Sequence, residues 1–384
     1  MTRGPAIALW QPGHPKAGGE VQRMQRVPWI GTVLVAALLL SGCGASAPPV
    51  APTDAPSAVT PTAGPTALPT VGPSPAQTAL TASLPPLRQV QATTITLPGA
   101  TPFVFGIIAD PDAIWVAGEG RIYRIDPTTN QVAAEIPVPI SEFGFAVAEG
   151  SAWIADFDGS QVLRLDLATG DEVAVIPVGV NPAGIVAAFG SIWTADHRGG
   201  TVSRIDTRTN RVSTTIEKVG FVGPSGPQGI AAGSDRIWVG VPNARMVFGI
   251  DPSSHSIVAA FPVGRLALPC GGILVDVAAI WVSSCHEQKA ITVLDPDDGS
   301  STIVGLPAFA GQPVRIGELV WVPVLGGVTD PILIAFGAED ATVADAIAIP
   351  PGSEPDSAVN AFGSLWITGP TGSVLRLSLT ELGG

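Results

Sequence analysis

Charge is scarce in this chain, and positive charge is scarcest: 13% of the 384 residues are Asp, Glu, Lys or Arg. Residues 93–384 hold 14 Lys and Arg against 30 Asp and Glu, a net of −16. That balance leaves no basic stripe to neutralise phosphates, which disfavours a nucleic-acid partner, and its field repels acidic lipid head groups. Apolar runs are short as well. The run from Trp29 to Leu40 has twelve residues, too few to span a bilayer as a mature helix. Cysteine is confined to Cys43, Cys270 and Cys285. No Ser-His-Asp order, phosphate loop or haem motif occurs. His197 and His286 lie two repeats apart with no spaced ligand set to unite them, so no cofactor and no metal site is expected.

What is abundant is Gly (45) and Pro (38), the composition of short apolar strands joined by tight turns. Their arrangement is periodic. Ser191 to Gly220 reads as three strands: Ile192 to Ala195 centred on Trp193, a second around Val202 and Ile205, and a third around Val212 and Ile216. Gly184 to Ala188 upstream completes four. The joint Asp206-Thr207-Arg208-Thr209-Asn210 is a turn, in which the carboxylate accepts from the turn's own N–H groups and Asn210 takes the left-handed conformation. Tryptophans count the copies: Trp115, Trp153, Trp193, Trp238, Trp281, Trp321 and Trp366, spaced 38, 40, 45, 43, 40 and 45 residues apart. Seven copies of a four-stranded unit at this period predict an all-β, seven-bladed β-propeller over residues 93–384. Each Trp recurs at one register, so the set belongs to the core between blades.

The N-terminus carries an address. Arg23 and Arg26 precede the apolar run from Trp29, which suits a signal-peptide core, and it ends in Leu40-Ser41-Gly42-Cys43. That ending resembles the lipobox of bacterial lipoproteins, which implies acylation of Cys43 and a lipid-anchored, extracytoplasmic place in the bacterial cell envelope, with membrane contact through the lipid alone. Residues 1–43 thus form an extension and signal peptide, with Met24 the expected start. Residues 44–92, rich in Pro, Ala, Thr and Ser, read as a disordered linker. As polyproline II, ~45 residues at ~3.1 Å each reach ~140 Å.

The two ends predict how the ring closes. After Trp366 the chain supplies one more strand, Val374 to Leu379, and stops short of a fourth. Thr93-Thr94-Ile95-Thr96-Leu97-Pro98-Gly99 resembles the fourth strand Thr214 to Gly220, so residues 93–98 are expected to complete the last blade. The third strands repeat Arg124-Ile125-Asp126, Arg164-Leu165-Asp166 and Arg204-Ile205-Asp206, where Arg and Asp two apart share a strand face and are expected to pair. Together, Ile-Trp-Thr-Ala, Thr-Val-Ser-Arg-Ile-Asp-Thr and Thr-Asn resemble the YVTN-type, YncE-like propeller repeat. The resemblance implies a scaffold that serves many partners.

Loops from strand 2 to strand 3, with those joining blades, form one face around the central channel. There the repeat is least uniform, which marks the candidate binding residues: Phe143, Asp156, Phe157, Asp158, Asp196, His197, Arg198, Phe221, Arg245, His286 and Glu287. The expected function is a binding module for a protein, peptide or glycan, with the chain a monomer. The alternative comes from a more distant resemblance, in the Trp on the second strand, to virginiamycin B lyase-like propellers. It implies a metal-dependent lyase using His286 and Glu287. Cys270 opens the inner strand of blade 5 and Cys285 closes its Trp strand, so a turn near Val277 brings them into disulfide range.

Overall fold

The structure, a computed structural model, describes residues 77–382 apart from 100–103, 140–143, 221–225, 265–268, 285–288, 326–329, 352, 354 and 370–371. Blade 3 shows how local sequence makes the unit. Strands Pro182–Ala188, Ser191–Asp196, Thr201–Asp206 and Arg211–Ile216 pair antiparallel in that order. The first hairpin turns on Phe189 and Gly190, with φ of 51° and 65°. Two successive left-handed residues give a turn whose twist matches that of the flanking strands. The third turn follows the expectation: the Asp206 carboxylate accepts from the N–H groups of Arg208 and Thr209, both at 2.9 Å, and Asn210 has φ 53°.

Seven such sheets are present, and the ring closes as the chain ends predict. Strand Ala92–Thr96 pairs antiparallel with Ser373–Ser378, setting Thr93 opposite Arg376 and Ile95 opposite Val374. The N-terminal strand is therefore the fourth of blade 7, and the closed ring has no terminal blade with an open face.

The core is divided among the seams. Seven buried apolar clusters exist, one between each pair of neighbouring blades, and each holds the Trp of the earlier blade. Trp193 packs with Ile237, Val239 and Val241 of blade 4, and Trp366 with Ile114 and Val116 of blade 1. The last seam thus has the same construction as the rest. Six of the seven indoles are at most 1% exposed. At about 150–250 Å² each and ~25 cal/mol/Å², burying one stabilises the ring by about 4–6 kcal/mol as an upper bound.

The repeated Arg and Asp do not pair with each other as expected. Trp193 stands opposite Arg204 across the strand pair, so the guanidinium lies over the indole, 5.4 Å from its centroid. Arg164 over Trp153 (4.5 Å) and Arg376 over Trp366 (4.7 Å) repeat this. The Arg then reaches the next blade's turn. Arg164 Nη1 donates to the Thr207 carbonyl at 2.7 Å and Asn210 Oδ1 at 2.8 Å, and Arg376 Nη1 to the Pro127 carbonyl and Asn130 Oδ1. The Asp sits at the strand's end and turns to its own loop. Backbone N–H groups two and three residues on hold Asp126, Asp166, Asp206 and Asp251 below the usual aspartate value.

Strand pairing begins well inside the stretch read as linker. Gln77–Thr81 runs parallel to the outer strand of blade 5, and Arg88–Gln89 parallel to that of blade 6. Arg88 pairs with Asp345, and the Gln91 N–H donates to Glu381 Oε2 at 3.1 Å. Composition suggested disorder here because the segment buries little of its own. Its partners are sheet edges more than 200 residues away in sequence, which a local reading does not see.

Candidate functional site

The second-to-third-strand loops and the inter-blade connections lie on one face, and at blades 2 and 3 hydrogen bonds join them. Asn181 Nδ2 donates to the Phe157 carbonyl at 2.7 Å, the His197 N–H donates to the Asn181 carbonyl at 2.9 Å, and the Val219 N–H donates to the Gly200 carbonyl at 3.0 Å. The His197 ring stands 6.0 Å from that of Phe157, and its Nδ1 is 3.2 Å from the Pro227 carbonyl oxygen. His197 is therefore a buried pin, 6% exposed, between blade 2 and the connection leading to blade 4. Residues Asp156, Phe157, Asp158, Asp196, His197 and Arg198 come together here, as a group of neighbouring loops. Arg245 lies apart on blade 4, in the left-handed conformation with φ 53°.

The group divides by burial. Asp196 is fully buried and accepts from the hydroxyls of Thr194 (2.8 Å), Thr201 (2.9 Å) and Ser203 (2.7 Å). Burial raises its pKa and these bonds lower it, with the net direction upward. A carboxylate enclosed by hydroxyls is a fastener for the loop, withdrawn from any ligand. Asp156 likewise accepts from the Gly159 N–H at 2.9 Å and Gln161 Nε2 at 2.8 Å. That leaves half-buried Phe157 beside exposed Asp158, Arg198 and Val180 as the accessible surface of the group. The sequence reading missed Val180, Asn181 and the three hydroxyls. A signal for the hydroxyls existed: Thr194 opposes Ser203 and Asp196 opposes Thr201, so alternation puts all four on one face.

At the ring's centre is a cavity of about 390 Å³, within the size range of small-ligand pockets. The inner strands of all seven blades line it, and five contribute a glycine: Gly106, Gly144, Gly184, Gly229 and Gly272. A Cβ on Gly184 would strike the Gln228 carbonyl oxygen, and one on Gly272 the Gln312 side chain. Glycine is needed because neighbouring backbones converge here. Gln312 Nε2 donates to the Ile273 carbonyl at 3.1 Å, and Ser357 Oγ accepts from the Ile107 N–H at 3.2 Å, each tying adjacent blades. The lining is neutral, and among the described residues no group of three His, Cys, Asp or Glu converges to hold a metal ion.

Phe143, Phe221, Cys285, His286 and Glu287 lie outside the described residues, as does Cys43, and the Cys270 side chain is likewise undescribed. Strand register sets Pro269 opposite Ser284, the residues adjoining Cys270 and Cys285.

No family model and no curated protein matches the chain. Solved structures do. Virginiamycin B lyase from Staphylococcus aureus is 17% identical with a TM-score of 0.63, over 75% of this chain and 99% of that one. Hydrazine synthase from Kuenenia stuttgartiensis is 15% identical with a TM-score of 0.61, over 73% and 98%. U3-55K is 9% identical with a TM-score of 0.62, over 75% and 98%. Proteins this dissimilar in sequence and in name share an architecture, and the conclusion they support is of fold alone: this chain is a seven-bladed β-propeller.

Proposed function

We propose that this chain is a binding module of the bacterial cell envelope, held to a membrane by lipid on Cys43, and that it captures a protein, peptide or glycan on its loop face. One observation carries the binding reading: the two faces of the ring differ in kind. On one, third-to-fourth-strand turns repeat with an Asp cap in blades 1 to 5. On the other, connections vary from the three residues between Gly305 and Phe309 to the thirteen between Ile216 and Ile230. A face built only to hold the ring has no use for that variety, whereas a recognition surface does. The YVTN-type resemblance supports a scaffolding role, and the lipobox-like ending supports the address.

Affinity capture with the full chain tests this, using native membrane extract and the variant Phe157→Ala with Arg198→Ala. The expected result is a partner retained by the native chain and lost by the variant at unchanged thermal stability. Equal retention would overturn the assignment of the face. The lyase alternative predicts magnesium-dependent opening of an ester ring that His286→Ala abolishes.

A further inference from the structure

We propose that the outer edge of blade 4, strand Ser256–Pro262, is the docking site of residues 65–69 of this same chain, added as a parallel strand. The next two blades already receive the N-terminal arm this way, at Gln77–Thr81 and Arg88–Gln89. The described chain begins at Gln77 on blade 5, the neighbour of blade 4.

The sequence of the arm names the segment. Thr66-Ala67-Leu68, Pro73 and Gln77 recur twelve residues later as Thr78-Ala79-Leu80, Pro85 and Gln89. The later copy supplies the strand on blade 5, where Thr78, Ala79 and Leu80 lie opposite Thr302, Ile303 and Val304. Six residues, 82–87, then carry the chain to blade 6. The earlier copy has one residue more, 70–76, between Pro69 and Gln77, a reach of roughly 23 Å when extended.

Charge and order name the blade: the outer strand of blade 7, Ala92–Thr96, is also uncharged, but it is the arm's own continuation beyond blade 6, whereas blade 4 precedes blade 5. An open sheet edge invites another strand, and charged side chains discourage it. Outer strands of blades 1, 2 and 3, which no further strand covers among the described residues, carry Glu135, Glu172 and Arg211. The covered strand of blade 5 carries no charge, and Asp345 on that of blade 6 is taken by Arg88 of the arm. Blade 4 offers Ser-Ile-Val-Ala-Ala-Phe-Pro, without charge and with Val258 45% exposed. It has the composition of a covered edge.

Register follows from the repeat. Ala260 opposes Phe248 as Ile303 opposes Thr292, so Ala260 occupies in blade 4 the place of Ile303 in blade 5. Ala67 then faces Ala260, and Leu68 faces Phe261.

The test uses the full chain in detergent, with Ala67→Cys and Ala260→Cys introduced together and mildly oxidised, and cross-linked peptides identified by mass spectrometry. Thr78→Cys with Thr302→Cys is the positive control on a pair of known register. An intrachain cross-link at both pairs is expected. Failure at 67 and 260 while the control succeeds would overturn the proposal, and so would a cross-link between chains, which would assign the edge to a second copy. A separate variant, Leu68→Asp, is expected to speed amide hydrogen exchange in Ser256–Pro262 about tenfold and leave Glu172–Pro177 unchanged. Unchanged exchange at Ser256–Pro262 would count equally against it.

Discussion

Asp206 and Asp196 lie ten residues apart in one blade and respond to pH in opposite senses. Asp206, like Asp126, Asp166 and Asp251, is held below its ordinary value by backbone N–H groups. A depressed carboxylate contributes stability that is complete above its unfolded value and is lost as pH falls through the folded one. Asp196 is raised by burial, so its contribution is complete below the unfolded value and is lost as pH rises through the folded one. Asp298, Asp340 and Asp345 are also depressed and lose their contributions together with the four turns, so the thermal midpoint should fall on acidification from about pH 5 to about pH 3. Asp206→Asn should make that fall shallower. Glycine at the channel makes a sharper case. Gly184→Ala pushes a methyl into the Gln228 carbonyl oxygen and should cost about 1–3 kcal/mol in urea denaturation, since backbone yields less readily than a side chain.

At the scale of elements, the seams set the magnitudes. Trp366→Ala empties the seam between the last blade and the first and should cost about 3–5 kcal/mol, as should Trp193→Ala between blades 3 and 4. Similar values would show that the closing seam is as strong as the others. Removing residues 373–384 takes away the partner of Ala92–Thr96 and should yield an aggregating product by size-exclusion chromatography. In blade 5, register opposes the neighbours of Cys270 and Cys285, and we propose a disulfide there. Thiol titration of denatured, unreduced protein would then find neither cysteine free, whereas two free thiols would refute the bond.

For the whole molecule, the proposed address has a simple readout. Cys43→Ser should move the protein from the membrane to the soluble fraction, because a net of −16 gives the domain no electrostatic hold on acidic lipid. Legibility from sequence followed the range of the forces involved. Blade number, turn chemistry and the closing strand were readable because each is a local pattern repeated at one period: an indole every 38 to 45 residues, an Asp before the turn in blades 1 to 5, a Thr-Thr-Ile shared by the N-terminal strand and the fourth strand of blade 3. The partners of Arg164 and the fate of Asp196 were not. A guanidinium reaching Asn210 in the next blade, or three hydroxyls converging on one carboxylate, depends on which strands lie side by side. The chain's own periodicity determined that it would form seven wedges around an axis. Only tertiary structure decided that His197 and Asp196 would be spent on holding loops, and that residues 77–91 would bind the rim, because burial and edge pairing are properties of neighbours distant in sequence.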